Sequence, residues 1–362
     1  MMTQKNKLIQ CVYCLLIGVF WQGTLKAQNL SVDAQALTGL LIPISLTSPQ
    51  LTTASPKGVE LRLMKQTSGN KDWHHWYKSP RFGVTFIHYD FRNEFLGKAY
   101  SLQGVGDFPL KQRKRHDWHL LVGYGVAYLT ENYRKFRNRK NTYVGSQFNY
   151  SFELMLSYNY YLTPRLQLSA EAGIIHYSNA ALQMPNGGIN ALSLGLGIKY
   201  RQNKPVENKV DTTFYKPKKW RWNISGAFGM LEQYPTGGRK YAVYNVNFLG
   251  EKRISRKVSW LLGVEAIYNN LYKEYIPDGK NQPEPALPGR AAVLTGMDIL
   301  VGQMAIMIQA GVYVYKPQPF DAVWYNKYGF KWRFYRELFT SFAIKTQLGA
   351  ADNFELGLGY RF

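Results

Sequence analysis

A two-residue alternation of apolar and polar side chains runs through long segments of this chain and limits the folds it can adopt. In residues 166–174, leucine, alanine and isoleucine occupy the even positions, while glutamine, serine, glutamate and glycine occupy the odd ones. Successive side chains of a β-strand point to opposite faces, so this segment is predicted to be a strand with one apolar face. Segments 118–128, 147–160 and 192–200 alternate in the same way.

The same pattern predicts sixteen strands in two sets of eight. The weakest members of the first set are residues 32–42 and 98–106, and the second set runs from residue 220 to residue 362. Short turns alternate with mostly longer loops, as in antiparallel barrels of the bacterial outer membrane. We therefore expect an all-β, transmembrane antiparallel barrel of about 16 strands; the alternative is two tandem eight-stranded sets.

Composition and the last strand agree with a membrane barrel. The chain contains 27 tyrosines, 19 phenylalanines and 9 tryptophans, and apolar side chains alternate along residues 354–362 up to Phe362. Only one face of each strand in such a barrel meets lipid, so the chain is aromatic-rich without being hydrophobic throughout. A terminal strand ending on an aromatic residue is typical of outer-membrane sorting.

Residues 1–27 have the pattern of a secretory signal peptide. Two lysines, Lys5 and Lys7, precede an apolar run over residues 8–21, and Ala27 is a small residue at a plausible cleavage point. Cys11 and Cys14 both lie inside this segment, so disulfides and thiolate chemistry are not expected in the exported chain. The expected location is the bacterial outer membrane.

The formal net charge of +22 predicts an anionic partner. Nucleic acid is not expected for an exported chain without a recognition motif, whereas a phosphate-rich membrane surface suits a barrel. No metal or other cofactor is called for by the sequence, and it leaves the oligomeric state open.

Three polar residues are predicted to meet on the apolar outer face near one rim. His176 and Ser178 continue the apolar face of residues 166–174, and Asn190 precedes the apolar face of the return strand. Such residues are often no more than interfacial polar groups. Bare polar groups facing hydrocarbon are costly, however, and are usually functional, which favours a site.

The segment His176-Tyr177-Ser178-Asn179, followed by Asn186 and Gly188, resembles the signature of the lipid A 3-O-deacylase family. The resemblance is specific over about 30 residues, extends loosely over residues 28–201 and does not cover the second half. It implies an eight-stranded barrel with a serine esterase site on its lipid-facing wall. It also implies His176 as base and Ser178 as nucleophile, with Asn179, Asn186 and Gly188 ordering the loop and the oxyanion site.

The sequence pattern and the resemblance together predict a domain organisation, and the resemblance also implies a substrate. A signal peptide (1–27) would precede a deacylase-like unit (28–201), a polar linker (202–219) and a second eight-stranded unit (220–362). The substrate and partner would be lipid A, the anchor of lipopolysaccharide. A basic run is either a solvated loop or a binding site for lipid A phosphates, and its candidate residues are Arg134, Lys135, Arg137, Arg139 and Lys140.

One departure from the family bears on activity. Asn190 stands where the family has a glutamate that orients the histidine. Loss of the corresponding carboxylate in a serine protease costs about 10⁴ in rate, so activity is expected to be weak, although an amide oxygen can still accept from the ring N–H. The rival hypothesis is a non-catalytic barrel, a pore or a surface scaffold, in which the site is a relic.

Overall fold

The computed structural model describes residues 29–43, 49–202, 215, 219–233, 236–274, 287–317 and 322–362. The predicted signal peptide and most of the predicted linker lie outside these residues. Within them, the first eight strands are β1 (Leu30–Ile42), β2 (Lys57–Gln66), β3 (Arg81–Asp90), β4 (Lys98–Gln112), β5 (His116–Leu129), β6 (Phe148–Tyr161), β7 (Leu166–Ser178) and β8 (Ile189–Arg201).

The next eight strands complete the fold. They are β9 (Arg221–Glu232), β10 (Lys240–Arg253), β11 (Val258–Asn269), β12 (Gly289–Val301), β13 (Met304–Tyr315), β14 (Trp324–Tyr335), β15 (Leu338–Gln347) and β16 (Ala350–Arg361). A short helix, α1 (Asp72–Trp76), and two 3-10 turns, Pro49–Leu51 and Asn270–Lys273, lie in the connections. In the part of the chain that is described, no helix is both long and apolar enough to span a bilayer.

The strands close into two separate eight-stranded barrels. Within each barrel each strand pairs antiparallel with the next, and β8 returns to β1 in a register that runs from Ser31↔Arg201 to Ile42↔Asn190. In the second half β16 returns to β9, with Leu356 opposite Phe228. The prediction of one barrel of about 16 strands is therefore not confirmed, and the alternative of two eight-stranded sets fits. Once β8 has paired with β1 the first sheet has no free edge, so β9 starts a new one.

The alternation seen in the sequence separates the outer wall from the lumen. On β8, Leu192, Leu194 and Leu196 point outward and are 49%, 55% and 70% exposed, whereas Ser193 and Lys199 are fully buried inside. Outward apolar and inward polar side chains are the arrangement of a lipid-embedded barrel. The expected all-β fold of an outer-membrane barrel is thus confirmed.

Charged side chains fill the lumen of the first barrel. Arg62 is buried among three carboxylates, with nitrogen–oxygen distances of 2.5 Å to Glu60, 3.0 Å to Glu153 and 2.8 Å to Glu171. Lys199 Nζ lies 2.9 Å from Glu171. An eight-stranded barrel is only wide enough for its own side chains, and this packing disfavours the pore hypothesis for the first barrel.

The two ends of the first barrel differ in their connections. Turn 162–165 lies at the same end as the chain end of β8, while loops 91–97, 130–147 and 179–188 lie at the opposite end. If the end carrying the short turns is periplasmic, as the terminal strand predicts, the latter loops face the cell exterior. The candidate residues lie at this end of the barrel, beside loop 179–188.

Candidate active site on the outer wall of the first barrel

His176 and Asn190 face each other across two neighbouring strands. They are register partners in the β7–β8 pair, and His176 Nδ1 lies 2.7 Å from Asn190 Oδ1. An amide oxygen can only accept, so Nδ1–H donates to it and Nε2 keeps its lone pair. The imidazole is therefore held by one nitrogen and can accept a proton at the other.

Ser178 lies two residues further along the same outward face of β7. Tyr177, between the two, points into the lumen, where it is fully buried in the apolar cluster of the first barrel. Although it is on the outer face, Ser178 is only 4% exposed, and Gly188 of the following loop lies against it. This burial shields its hydroxyl from bulk water, a condition that strengthens electrostatic effects on a reacting group.

Gly188 brings His176 and Ser178 against one point of the loop. A Cβ at Gly188 would lie 2.8 Å from His176 Cε1 and 3.4 Å from Ser178 Cβ. The backbone φ of Gly188 is +77°, a value that other residues rarely adopt. Glycine thus meets both a steric and a conformational requirement here.

We expect Gly188→Ala to lower kcat about 10- to 100-fold, because the imidazole must move away from the new methyl group and small misplacements are costly in catalysis. Steady-state kinetics on purified protein would measure this effect. Gly289→Ala is a matched control, since a Cβ there meets nothing within 4 Å. Equal rates for both variants would contradict close packing of the loop on the histidine.

Asparagine side chains order the loop of residues 179–188. The backbone N of Asn179 donates to Asn186 Oδ1 at 2.9 Å, and Asn179 Nδ2 donates to Gln183 O at 2.8 Å. The amide nitrogen of Asn186, Nδ2, is buried and has no hydrogen-bond partner among the residues that the structure describes. A buried unpartnered donor next to Ser178-Asn179 can bind an oxygen of a ligand.

The neighbouring loop of residues 130–147 supports this one. Asn179 Nδ2 also donates to Ser146 Oγ at 3.0 Å, and the backbone N of Gly188 donates to Tyr143 O at 2.8 Å. The basic candidates lie on the same loop and are all exposed; they are Arg134, Lys135, Arg137, Arg139 and Lys140. They are therefore available to solvent or to anionic headgroups, and Lys140 Nζ also lies 4.6 Å from the centre of the Phe95 ring.

Sequence reasoning missed three contributors to this region: Tyr143 and Ser146, which contact the site loop from the 130–147 loop, and Glu232 of the second barrel. Glu232 donates from its backbone N to Ala181 O at 2.8 Å. No local pattern signals such contacts, because they depend on how loops and barrels pack together.

Two protein-family models match the chain. The model described as lipid A 3-O-deacylase (PagL) matches residues 57–199, and the model described as acyloxyacyl hydrolase, C-terminal domain, matches residues 220–362. The chain belongs to the lipid A 3-O-deacylase (PagL) family. The second match extends the likeness to the PagL family into residues 220–362, which the sequence resemblance did not cover.

Solved structures overlap with this PagL-family chain only loosely. The outer membrane enzyme PagL is 19% identical, with 46% of this chain and 98% of that chain covered and a TM-score of 0.32. Neisserial surface protein A is 15% identical, with 47% and 96% covered and a TM-score of 0.32. A mutant of Rh. blastica porin is 8% identical, with 92% and 100% covered and a TM-score of 0.18. No curated protein matches the chain, and the family assignment rests on the two family models.

Proposed function

We propose that this protein is an outer-membrane esterase that removes an ester-linked acyl chain from lipid A, with Ser178 as the nucleophile. The observation that carries the proposal is the His176–Asn190 pair, joined at 2.7 Å beside Ser178 on the lipid-facing wall. Membership of the PagL family supports both the reaction class and the substrate. A lipid embedded in the same leaflet can reach this site without leaving the membrane.

The reaction begins when His176 Nε2 takes the proton of the Ser178 hydroxyl. Serine Oγ then attacks the ester carbonyl, and the imidazolium returns its proton to the sugar oxygen that leaves. Asn190 accepts from Nδ1–H throughout and so keeps the ring in one tautomer. Water, activated by the same histidine, cleaves the acyl-enzyme in the second half of the cycle.

The negative charge that develops on the carbonyl oxygen needs hydrogen-bond donors. Asn186 Nδ2 is a suitable donor, since it is buried beside Ser178-Asn179 and has no partner in the described part of the chain. A preorganised donor of this kind, when lost, costs about 10²–10³ in kcat in a serine protease. We therefore assign Asn186 to the oxyanion site, with Asn179 and Gly188 holding the loop around it.

The acyl chain and the headgroup would occupy different surfaces. Leu192 and Leu194 of β8 and Leu40 of β1, which pairs with Leu192, form an exposed aliphatic strip below Asn190. An acyl chain can lie along this strip. The exposed arginines and lysines of the 130–147 loop can pair with lipid A phosphates at the rim.

Expression in a bacterial host with intact lipid A tests this proposal. We expect mass spectrometry of extracted lipid A to show loss of one hydroxyacyl chain. Unchanged lipid A, with the protein correctly inserted in the outer membrane, would favour a non-catalytic scaffold.

Asn190→Glu is expected to raise kcat at least about tenfold. A carboxylate at this position would stabilise the imidazolium that His176 forms, and the reverse change in a serine protease costs about 10⁴. Asn190→Leu should instead reduce kcat, because the ring loses its hydrogen bond. Initial rates on purified lipid A measure both effects, and a glutamate variant no faster than the wild type would argue against the assigned role of Asn190.

A further inference from the structure

The second barrel contacts the loop that lies beside Ser178. At the end of β9, the backbone N of Glu232 donates to Ala181 O at 2.8 Å, and its Oε1 accepts from the backbone N of Met184 at 3.4 Å. The same oxygen also accepts from Gly237 N at 2.7 Å. Glu232 is only 3% exposed, so these contacts are shielded from water. The Glu232 side chain thus links Met184 of the site loop to Gly237 of the second barrel.

The tip of the site loop is also part of the apolar core at that end of the second barrel. Ala181 is 5% exposed and packs in one cluster with Leu231 and Val243. Ala180 and Ala181 have φ values of +52° and +63°, which are unfavourable for alanine. A loop in this conformation needs partners that hold it, and the second barrel provides them.

Aromatic packing joins the two barrels next to the nucleophile. Tyr150, the cross-strand partner of Ser178, has its ring centre 5.2 Å from that of Phe342 on β15. Tyr124 on β5 lies 5.5 Å from Phe342 and from Phe330 on β14. The second barrel therefore covers the β5–β6 flank of the site, while the leucine strip on β8 and β1 stays open.

We propose that the second barrel contributes to the site on the first barrel by supporting its loop of residues 179–188. Glu232 is the positioning residue that holds this loop beside Ser178. The carboxylate acts through the loop and touches neither nucleophile nor base. The loop in turn carries Asn186, whose Nδ2 is buried without a hydrogen-bond partner among the described residues, so a loose loop would misplace the proposed oxyanion donor. This inference rests on the proposed esterase function and deepens it.

Kinetics on the full chain in detergent provide the first test. We expect Glu232→Ala to lower kcat about 10- to 100-fold with little change in KM, since the loss falls on transition-state geometry. Glu232→Gln should retain activity within about threefold, because its amide oxygen still accepts from Met184 N. Glu274→Ala is the matched control: this exposed acid of the same barrel pairs with Arg239 at 2.5 Å and should leave kcat unchanged.

Hydrogen exchange provides a test that does not depend on activity. Glu232→Ala should speed exchange of the amides of residues 179–188, while Glu274→Ala should not. The positioning role would be overturned if the amides of residues 179–188 exchanged as slowly in Glu232→Ala as in the wild type. It would also be overturned if they exchanged faster while kcat stayed unchanged. If the wild-type protein fails to deacylate lipid A, the proposed function falls, and the exchange comparison still supports or overturns the link between Glu232 and the loop.

Discussion

Ser178→Ala is expected to abolish removal of an acyl chain from lipid A, with kcat falling at least about 10³-fold. The variant loses the only group proposed to form the acyl-enzyme, and loss of the nucleophile in serine hydrolases removes most of the catalysis. Little effect on folding is expected, because the hydroxyl lies on the outer wall and no side chain of the lumen network depends on it. Mass spectrometry of lipid A from cells expressing the variant should show the intact acylation pattern.

Ser169→Ala is a matched control for this experiment. Ser169 lies on the same strand, β7, but its side chain points into the lumen, where its Oγ accepts from Gln35 Nε2 at 2.5 Å. We expect this variant to deacylate lipid A at a rate close to the wild type. Continued deacylation by Ser178→Ala would show that the nucleophile is elsewhere.

Arg62→Met is expected to destabilise the first barrel by about 3–5 kcal/mol. Arg62 is the cation that contacts the buried Glu60, Glu153 and Glu171 together, and removing one partner of a buried ion network leaves uncompensated charge. The remaining carboxylates must then take up protons or admit water, and both cost free energy. Urea unfolding of the purified protein, monitored by the gel shift between folded and unfolded bands, measures the change in the free energy of unfolding.

Arg134→Met controls for removing a positive charge. Arg134 is exposed on the 130–147 loop, so its replacement should change the free energy of unfolding by no more than about 0.5 kcal/mol. The double variant Glu60→Gln/Arg62→Met should recover part of the stability, since it removes one buried charge along with the cation. An Arg62→Met barrel as stable as the wild type would mean that the lumen network contributes nothing net to folding.

Strand positions and the outward face of the site could be read from the sequence because both depend on local periodicity. The alternation over residues 166–174 and 192–200 predicted β7 and β8, and its continuation put His176, Ser178 and Asn190 on the outer face. In the structure, hairpin register makes His176 and Asn190 direct partners. A hairpin with one apolar face has a single register that keeps this face outward, so its cross-strand pairs follow from the pattern.

Features that depend on distant contacts could not be read this way. Weak strand β4 extends to Gln112, well beyond the predicted 98–106, because β5 pairs with it to the end. The helix α1 is five residues long, too short for its own sequence signature. Whether the chain forms one barrel or two depends on whether β8 pairs with β1 or with β9. The local sequence pattern of a strand does not distinguish between these two partners.

The residues alone predicted an exported, all-β chain with alternating walls, and they predicted that a histidine, a serine and an asparagine meet at one lipid-facing rim. Periodicity suffices for this, because each side chain's face follows from its neighbours in sequence. Barrel closure, the folded loop beside Ser178, the buried Nδ2 of Asn186 and the contact with Glu232 required the complete fold. Each of these joins residues far apart in the chain, and the free energy that selects them comes from packing that no short segment contains.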